Sequence, residues 1–290
     1  MGCRLRCIAS ALVTVLDVTL VSATHTEASE AVESSCELPF ELVEGTLIVV
    51  HGSVGHLSGL RFLIDTGSTR TYIDRRVASA LGLKAGWSRP LNALDGRGRA
   101  EAIVIPFLGF GPTRGEAMSG LMTDLSGVCR SERVDALIGL DLLRLANFEI
   151  DYRSRRIVFE PPDEMTQDVP FATMTPLLSV DVSIQGRPVR LMVDTAASTV
   201  TLFPNRMRSR LPRFRSRGQT VVANALGRSV AREVDLSAIF LNRTQWADRA
   251  LLIDVTAEAY QGFDGVLGAL PRALARVQFD FRRNRLAWME

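Results

Sequence analysis

The phrase Phe62-Leu63-Ile64-Asp65-Thr66-Gly67-Ser68 is answered 129 residues later by Leu191-Met192-Val193-Asp194-Thr195-Ala196-Ala197. The same offset relates Ala136-Leu137-Ile138-Gly139 to Gly265-Val266-Leu267-Gly268. It also relates Phe148-Glu149-Ile150-Asp151-Tyr152 to Val277-Gln278-Phe279-Asp280-Phe281, with Arg153 and Arg156 matched by Arg282 and Arg285. A lone tripeptide such as Asp-Thr-Gly arises by chance too often to carry weight. A set of phrases recurring in one order at one spacing requires a duplicated lobe, and so a fold of two similar halves. Each half brings one Asp behind a buried-looking apolar run, which points to one site built from two carboxylates.

The chain has 290 residues, 47% hydrophobic and 23% charged, enough to bury one or two cores. Its net charge of +2 gives no field that would favour nucleic acid or an anionic membrane. At the start, Arg4 and Arg6 precede an apolar stretch from Ile8 to Leu16, and Val21-Ser22-Ala23 offers small residues for a signal-peptidase cut after Ala23. Asp17 leaves that stretch well short of the roughly 20 residues a membrane span needs. The expectation is an exported protein, periplasmic or secreted; the alternative is an irregular cytoplasmic N-terminus. Removal of residues 1–23 would take Cys3 and Cys7, leaving Cys36 and Cys129 either as a disulfide or as two free thiols. No Cys or His spacing suggests a metal site, no cofactor is expected, and His25, His51 and His56 all lie far upstream of Cys129.

Short β-branched or aromatic runs punctuated by Gly, Pro and Asp predict an all-β fold. In the first copy these are Gly45 to Val50, Gly59 to Ile64, Ala102 to Phe107 and Arg156 to Phe159. In the second they are Leu177 to Ile184, Pro188 to Val193, Gln219 to Ala223, Asp248 to Val255 and Arg285 to Trp288. One short helix per copy is expected, Asp141 to Ala146 and Pro271 to Arg276, with Pro271 tolerated in a first turn. The polar, proline-rich segment after Glu160 reads as a linker. The domain plan is a signal peptide at 1–23, a tail at 24–40, a first lobe at 41–160, a linker at 161–172 and a second lobe at 173–290.

A strand that buries Phe62 and Ile64 delivers Asp65 where the chain turns, and Gly67 allows a close backbone approach. Thr66 carries a hydroxyl suited to bonding across a lobe interface, and Ser68 one suited to holding an outer carboxylate oxygen. On these residues the chain resembles the aspartic protease superfamily, and specifically the retropepsin-type lobe. In that family a hydrophobic strand ends in Asp-Thr/Ser-Gly, and a later hydrophobic-hydrophobic-Gly strand followed by a short helix threads beside it. Asp135-Ala136-Leu137-Ile138-Gly139-Leu140-Asp141-Leu142-Leu143 resembles that second element closely, and Asp264-Gly265-Val266-Leu267-Gly268-Ala269-Leu270 less so.

The resemblance implies two fused retropepsin-type lobes in a bilobal acid-protease fold with pseudo-twofold symmetry, working as a monomer on a peptide or protein substrate. It implies a catalytic dyad of Asp65 and Asp194, supported by Thr66, Gly67, Ser68, Thr195 and Ala196. It also implies a flap per lobe: Asn92 to Arg99 contains Asp95, Gly96 and Gly98, and Gly227 of Asn224 to Arg228 stands 129 residues after Gly98. Tyr72, Tyr152 and Tyr260 are not placed in sequence as a flap tyrosine would be. The departure is Ala196 where the family has Gly, an added methyl that leaves open an active site with slight strain, a weakened one, or a lobe without chemistry. The last alternative is a non-catalytic peptide-binding or interaction protein. The series Arg206, Arg208, Arg210, Arg213, Arg215 and Arg217 reads either as a groove for acidic peptides or as a solvated face.

Overall fold

A computed structural model of the chain describes residues 6–7, 36–93, 96–172, 176–210, 212–224 and 227–290. Apart from Arg6 and Cys7, the expected signal peptide lies outside the described residues, as do 24–35 of the expected tail and Asp95.

Each copy of the repeat folds into its own sheet-rich lobe. In the first, the hairpin Leu47–Val54 and Leu57–Ile64 continues through Ala136–Ile138, Tyr72–Asp74 and Thr113–Thr123 to Gly96–Phe110 and Ser88–Ala93. Ser53 pairs back to Gly109, so the sheet closes on itself. The second lobe repeats the route through Ser179–Ile184, Arg187–Val193, Gly265–Leu267, Thr201–Leu202, Thr244–Leu252, Gly227–Leu241 and Arg215–Asn224, and Ser183 pairs with Phe240 at the corresponding seam. Arg6–Cys7 adds a short parallel edge to this second sheet at Val222 and Ala223. Closure leaves few free strand edges and encloses the apolar faces of both hairpins. The arms Gly96–Phe110 and Gly227–Leu241 run 15 residues each. They exceed the strands read from sequence because one face is wet: Val104 and Val230 are exposed while Ile103, Ile105, Ala231 and Val234 are buried.

A third, six-stranded sheet joins the lobes in the order Gln167–Pro170, Arg285–Met289, Arg276–Asp280, Phe148–Asp151, Arg156–Phe159, Cys36–Pro39. Its centre is antiparallel, and Glu149 stands opposite Gln278, its own counterpart in the repeat. A residue facing its own copy is what a local twofold axis through that pair demands. Parts of the expected tail and linker are strands. Cys36–Pro39 and Gln167–Pro170 are the two symmetric edge strands of this sheet, which short, polar, proline-bearing segments can form because an edge needs bonding on one side only. Each lobe has two short helices rather than one: Arg75–Ala80 and Leu140–Leu143 in the first, Pro204–Met207 and Leu270–Ala273 in the second. Asp74 caps the first of these, accepting from the Arg76 N–H.

The shared sheet is pinned asymmetrically. The Arg276 guanidinium donates to both oxygens of the buried Glu149 carboxylate, at 2.6 and 2.9 Å. Asn147, the counterpart of Arg276, instead donates through Nδ2 to Asp280 Oδ1 at 3.0 Å. Arg276 retains about a quarter of its side-chain exposure, whereas Glu149 is 2% exposed. Arg276→Met therefore strands a buried carboxylate and should cost about 3 kcal/mol or more. Glu149→Gln leaves a cation that water still reaches and should cost about 1–2 kcal/mol. Equilibrium unfolding of both variants checks the order; equal losses would contradict it.

Cys36 and Cys129 are free thiols: Cys36 is exposed on its edge strand, and Cys129 is buried with its Sγ 3.5 Å from Glu44 Oε1 and from Ser131 Oγ. The disulfide alternative is thus not realised, because the strand holding Cys36 pairs with Arg156–Phe159 in the joining sheet while Cys129 packs inside the first lobe. Among the described residues no helix is long and apolar enough to cross a membrane, and no cluster of His, Cys, Asp and Glu is arranged to hold a metal ion.

Candidate active site

Asp65 and Asp194 sit at equivalent ends of equivalent strands. Leu57–Ile64 runs parallel to Ala136–Ile138, and Arg187–Val193 runs parallel to Gly265–Leu267 with the same register 129 residues on. The Asp65 N–H donates to the Ile138 carbonyl at 3.0 Å, and the Asp194 N–H to the Leu267 carbonyl at 3.2 Å. After each Asp the chain turns and is caught again, since the Leu140 N–H donates to Ser68 O and the Ala269 N–H to Ala197 O, both at 2.8 Å. Gly139 and Gly268 are glycine for steric reasons. A Cβ on Gly139 would meet the Arg70 carbonyl oxygen at 2.4 Å, and one on Gly268 the Ala197 and Thr199 oxygens at 2.6 Å.

The two loops lock through their threonines. The Thr66 N–H donates to Thr195 Oγ1 and the Thr195 N–H to Thr66 Oγ1, each at 3.1 Å. Each hydroxyl then donates across to the opposite strand end, Thr66 Oγ1 to Val193 O at 3.0 Å and Thr195 Oγ1 to Ile64 O at 2.8 Å. All four groups are buried, so any one left unmade would cost about 1–3 kcal/mol. The lock fixes the separation of the two Asp backbones.

Both carboxyls are essentially inaccessible, Asp65 at 1% and Asp194 at 0% exposure, and they lie within hydrogen-bonding reach of each other. Asp65 is held well above the usual carboxylate range, first by burial and then by the charge on Asp194, with the carboxyl-carboxyl hydrogen bond adding to the rise. The Gly67 and Ser68 N–H groups pull the other way without overcoming it. The pair therefore keeps a proton to higher pH than a lone carboxyl would.

The methyl of Ala196 does not disturb this. Its N–H donates to Asp194 Oδ1 at 2.8 Å, as the Gly67 N–H does to Asp65 Oδ1 at 2.8 Å. Neither residue adopts left-handed backbone, so the position does not require glycine. The side chain is buried in a cluster whose other members, among them Val43, Tyr72, Leu91 and Leu137, all belong to the first lobe. The strain expected at Ala196 is replaced by a packed interlobe contact.

Ser68 departs from expectation: its Oγ donates to the Arg70 carbonyl at 2.8 Å, and its backbone N–H is what favours the Asp65 carboxylate. The two hairpins are present, but Gly98 does not correspond to Gly227. Ala93 pairs with Gly96 and Asn224 with Gly227 at the closing ends, so the hairpin offset is 131 and Gly96 is the counterpart of Gly227. The two-residue slip escapes a fixed-offset comparison because loops absorb insertions that paired strands cannot. Tyr260 lies outside every phrase repeated at the 129-residue offset. It is fully buried, its ring packs on Phe203 at 5.6 Å, and burial followed by the charges of Asp194 and Asp65 raises its phenol well above 10. It ends a turn of 3-10 helix, Glu258–Tyr260, that no motif marks. The arginine series is partly neutralised, with Arg210 bidentate on Asp264 at 2.9 and 2.7 Å and Arg217 on Asp235 at 2.5 Å.

The sequence profile described as aspartyl protease matches the chain twice, over residues 50–142 and 180–269. Each match covers one carboxylate, its threonine and its glycine-ended strand, and stops before the strands of the joining sheet. No curated protein gave a significant match.

Proposed function

The chain belongs to the aspartyl protease family, two lobes of which it joins end to end, and from this we propose that it is an aspartic endopeptidase whose dyad is Asp65 and Asp194. One observation carries the reading: two buried carboxyls within hydrogen-bonding reach, each accepting an N–H from its own loop, on a reciprocal threonine lock that spans the lobes. In the dyad of an aspartic protease one carboxyl stays protonated, because like charges so close cannot both ionise. The ionised member takes a proton from water as the oxygen attacks the scissile carbonyl, while the protonated member donates to the carbonyl oxygen. The hairpin Ser88–Ala93 with Gly96–Phe110, whose outer strand is the edge of its sheet, offers a strand on which an extended peptide can pair through its main chain. The non-catalytic alternative drew on the methyl of Ala196, and the matched contacts of Ala196 and Gly67 remove that motive.

Cleavage of a diverse peptide library by the purified protein tests the proposal, and absence of cleavage at every pH between acid and neutral would sink it. The pH profile has a required shape. Asp65 must keep its proton, so kcat/KM should fall as pH rises through its raised pKa, and should fall again in strong acid when the ionised member is protonated. A rate that climbs steadily towards alkaline pH would contradict the shared proton. Ala196→Gly should leave kcat/KM within about twofold and cost about 1 kcal/mol, from one lost buried methyl and a more flexible backbone. A rise in activity, read by the same assay, would restore the idea of strain at this residue.

A further inference from the structure

The first lobe has a cavity of about 80 Å³ lined by Arg70, Trp87, Arg89, Ala102, Ser119, Gly120 and Leu121. Arg70 sits five positions after Asp65 on the same loop, its carbonyl holding the Ser68 hydroxyl. Trp87 and Arg89 lead into and along the outer arm of the first hairpin, and Ala102 faces them from the inner arm. The cavity therefore opens between the carboxylate loop and the base of the hairpin, where a side chain of a peptide laid along the hairpin would enter.

Its chemistry is one-sided. Two cations line it and no carboxylate does. Among the described residues neither Arg70 nor Arg89 forms an ion pair, while neighbouring arginines do: Arg75 with Glu101, and Arg76 with Asp74 and Asp135. Asp141, whose carboxyl feels the charge of Arg70, is already engaged by the Thr71 N–H and hydroxyl at 2.9 and 2.7 Å. The Arg89 guanidinium lies over the Trp87 ring at 3.7 Å, and its Nε is buried without a partner. A guanidinium stacked by its face keeps its in-plane N–H groups for a planar acceptor, and a carboxylate is the acceptor that matches them two at a time.

Resting on the endopeptidase reading, we propose that this cavity is a specificity pocket that takes an acidic side chain, Glu or Asp, of the substrate. The second lobe lacks it. Thr199 stands where Arg70 does, and with the hairpin offset of 131 Thr220 stands for Arg89 and Gly218 for Trp87. A cleft built on a local twofold does not by itself distinguish the two directions of a peptide. A single cationic pocket on one side does, so the acidic residue also sets which way the substrate runs.

The test uses the full chain carrying Asp65→Asn, so that bound peptide is not turned over, and dye-labelled extended peptides in pairs that differ only by Glu or Gln at one scanned position. Fluorescence anisotropy reads binding. At one position the Glu peptide should bind about 10- to 100-fold tighter than its Gln partner, the range of a charge-assisted, paired hydrogen bond. Arg89→Gln or Arg70→Gln should remove most of that preference, with the Gln peptide unaffected and the thermal midpoint unchanged. Arg89→Glu should shift the preference towards Lys at the same position. Equal binding of Glu and Gln peptides at every position would overturn the proposal, as would a preference that survives both arginine substitutions together. Cleavage of the same peptides by the unsubstituted chain is scored separately. Discrimination without cleavage sinks the endopeptidase reading and leaves the pocket standing, cleavage without discrimination does the reverse, and neither binding nor cleavage of any peptide overturns both.

Discussion

Asp65→Asn and Asp194→Asn should each yield a folded protein that has lost about 10³- to 10⁴-fold or more in kcat/KM, since each removes a group that must move a proton in the reaction. Asn keeps the shape and accepts the same loop N–H, Gly67 for Asp65 and Ala196 for Asp194. The threonine lock does not pass through either carboxyl. Loss of activity should therefore come without loss of fold, and for Asp65→Asn stability should rise. Burial and the Asp194 charge raise the pKa of Asp65 in the folded chain above its ordinary 3.8. Stability linked to that proton is complete below pH 3.8 and declines as pH climbs towards the folded pKa, because the unfolded chain releases the proton first. Each unit of the rise is worth about 1.4 kcal/mol once pH exceeds the folded pKa. Thermal unfolding should show Asp65→Asn level with the unsubstituted chain in strong acid and ahead of it near neutrality. A variant that is less stable near neutrality would mean that Asp65 is charged and well solvated, contrary to its burial.

The second large effect is steric. Gly139→Ala would place a methyl 2.4 Å from the Arg70 carbonyl oxygen, 2.5 Å from the Arg70 carbonyl carbon and 2.8 Å from its nitrogen. Every one of these is a backbone atom of the loop that follows Asp65, so no side chain can rotate away and the loop itself must shift. Gly268→Ala meets the corresponding loop at the Ala197 and Thr199 oxygens, both at 2.6 Å. Overpacking of this kind against fixed backbone should cost about 3 kcal/mol or more. A displacement near 1 Å at the carboxylates should cost about 100-fold in kcat/KM in whatever protein still folds. Denaturant unfolding and a peptide assay together check this. Wild-type stability and rate in Gly139→Ala would show that the loop is not held as tightly as its hydrogen bonds indicate.

The repeat made much of this legible before any coordinates. An offset of 129 located both carboxylates, both threonines and both glycine-ended strands, because those residues lie in or directly after paired strands, where an insertion would break the register. It located the pair Glu149 and Gln278 as well, although only the antiparallel pairing shows that the axis runs between them. Where the chain leaves the ladders, the offset fails. The hairpins slip by two residues, and the edge strands Cys36–Pro39 and Gln167–Pro170 looked like tail and linker, since nothing apolar marks a strand bonded on one side. The surroundings of Ala196 were illegible for a related reason. A motif says which residue is usual, whereas the packing of its methyl among first-lobe side chains is a long-range contact with no local trace. The proximity of Tyr260 to the dyad is invisible in the same way.

The central claim is that one chain carries both halves of one site. Purified Asp65→Asn, purified Asp194→Asn and an equimolar mixture of the two, assayed on the same peptide at the acid optimum, test it most directly. If the dyad forms within a chain, both variants and the mixture are inactive, because no folded molecule in the mixture holds two carboxylates in one cleft. If instead first lobes pair between chains, Asp194→Asn alone retains activity, and recovery of activity on mixing would likewise contradict a dyad built inside one molecule.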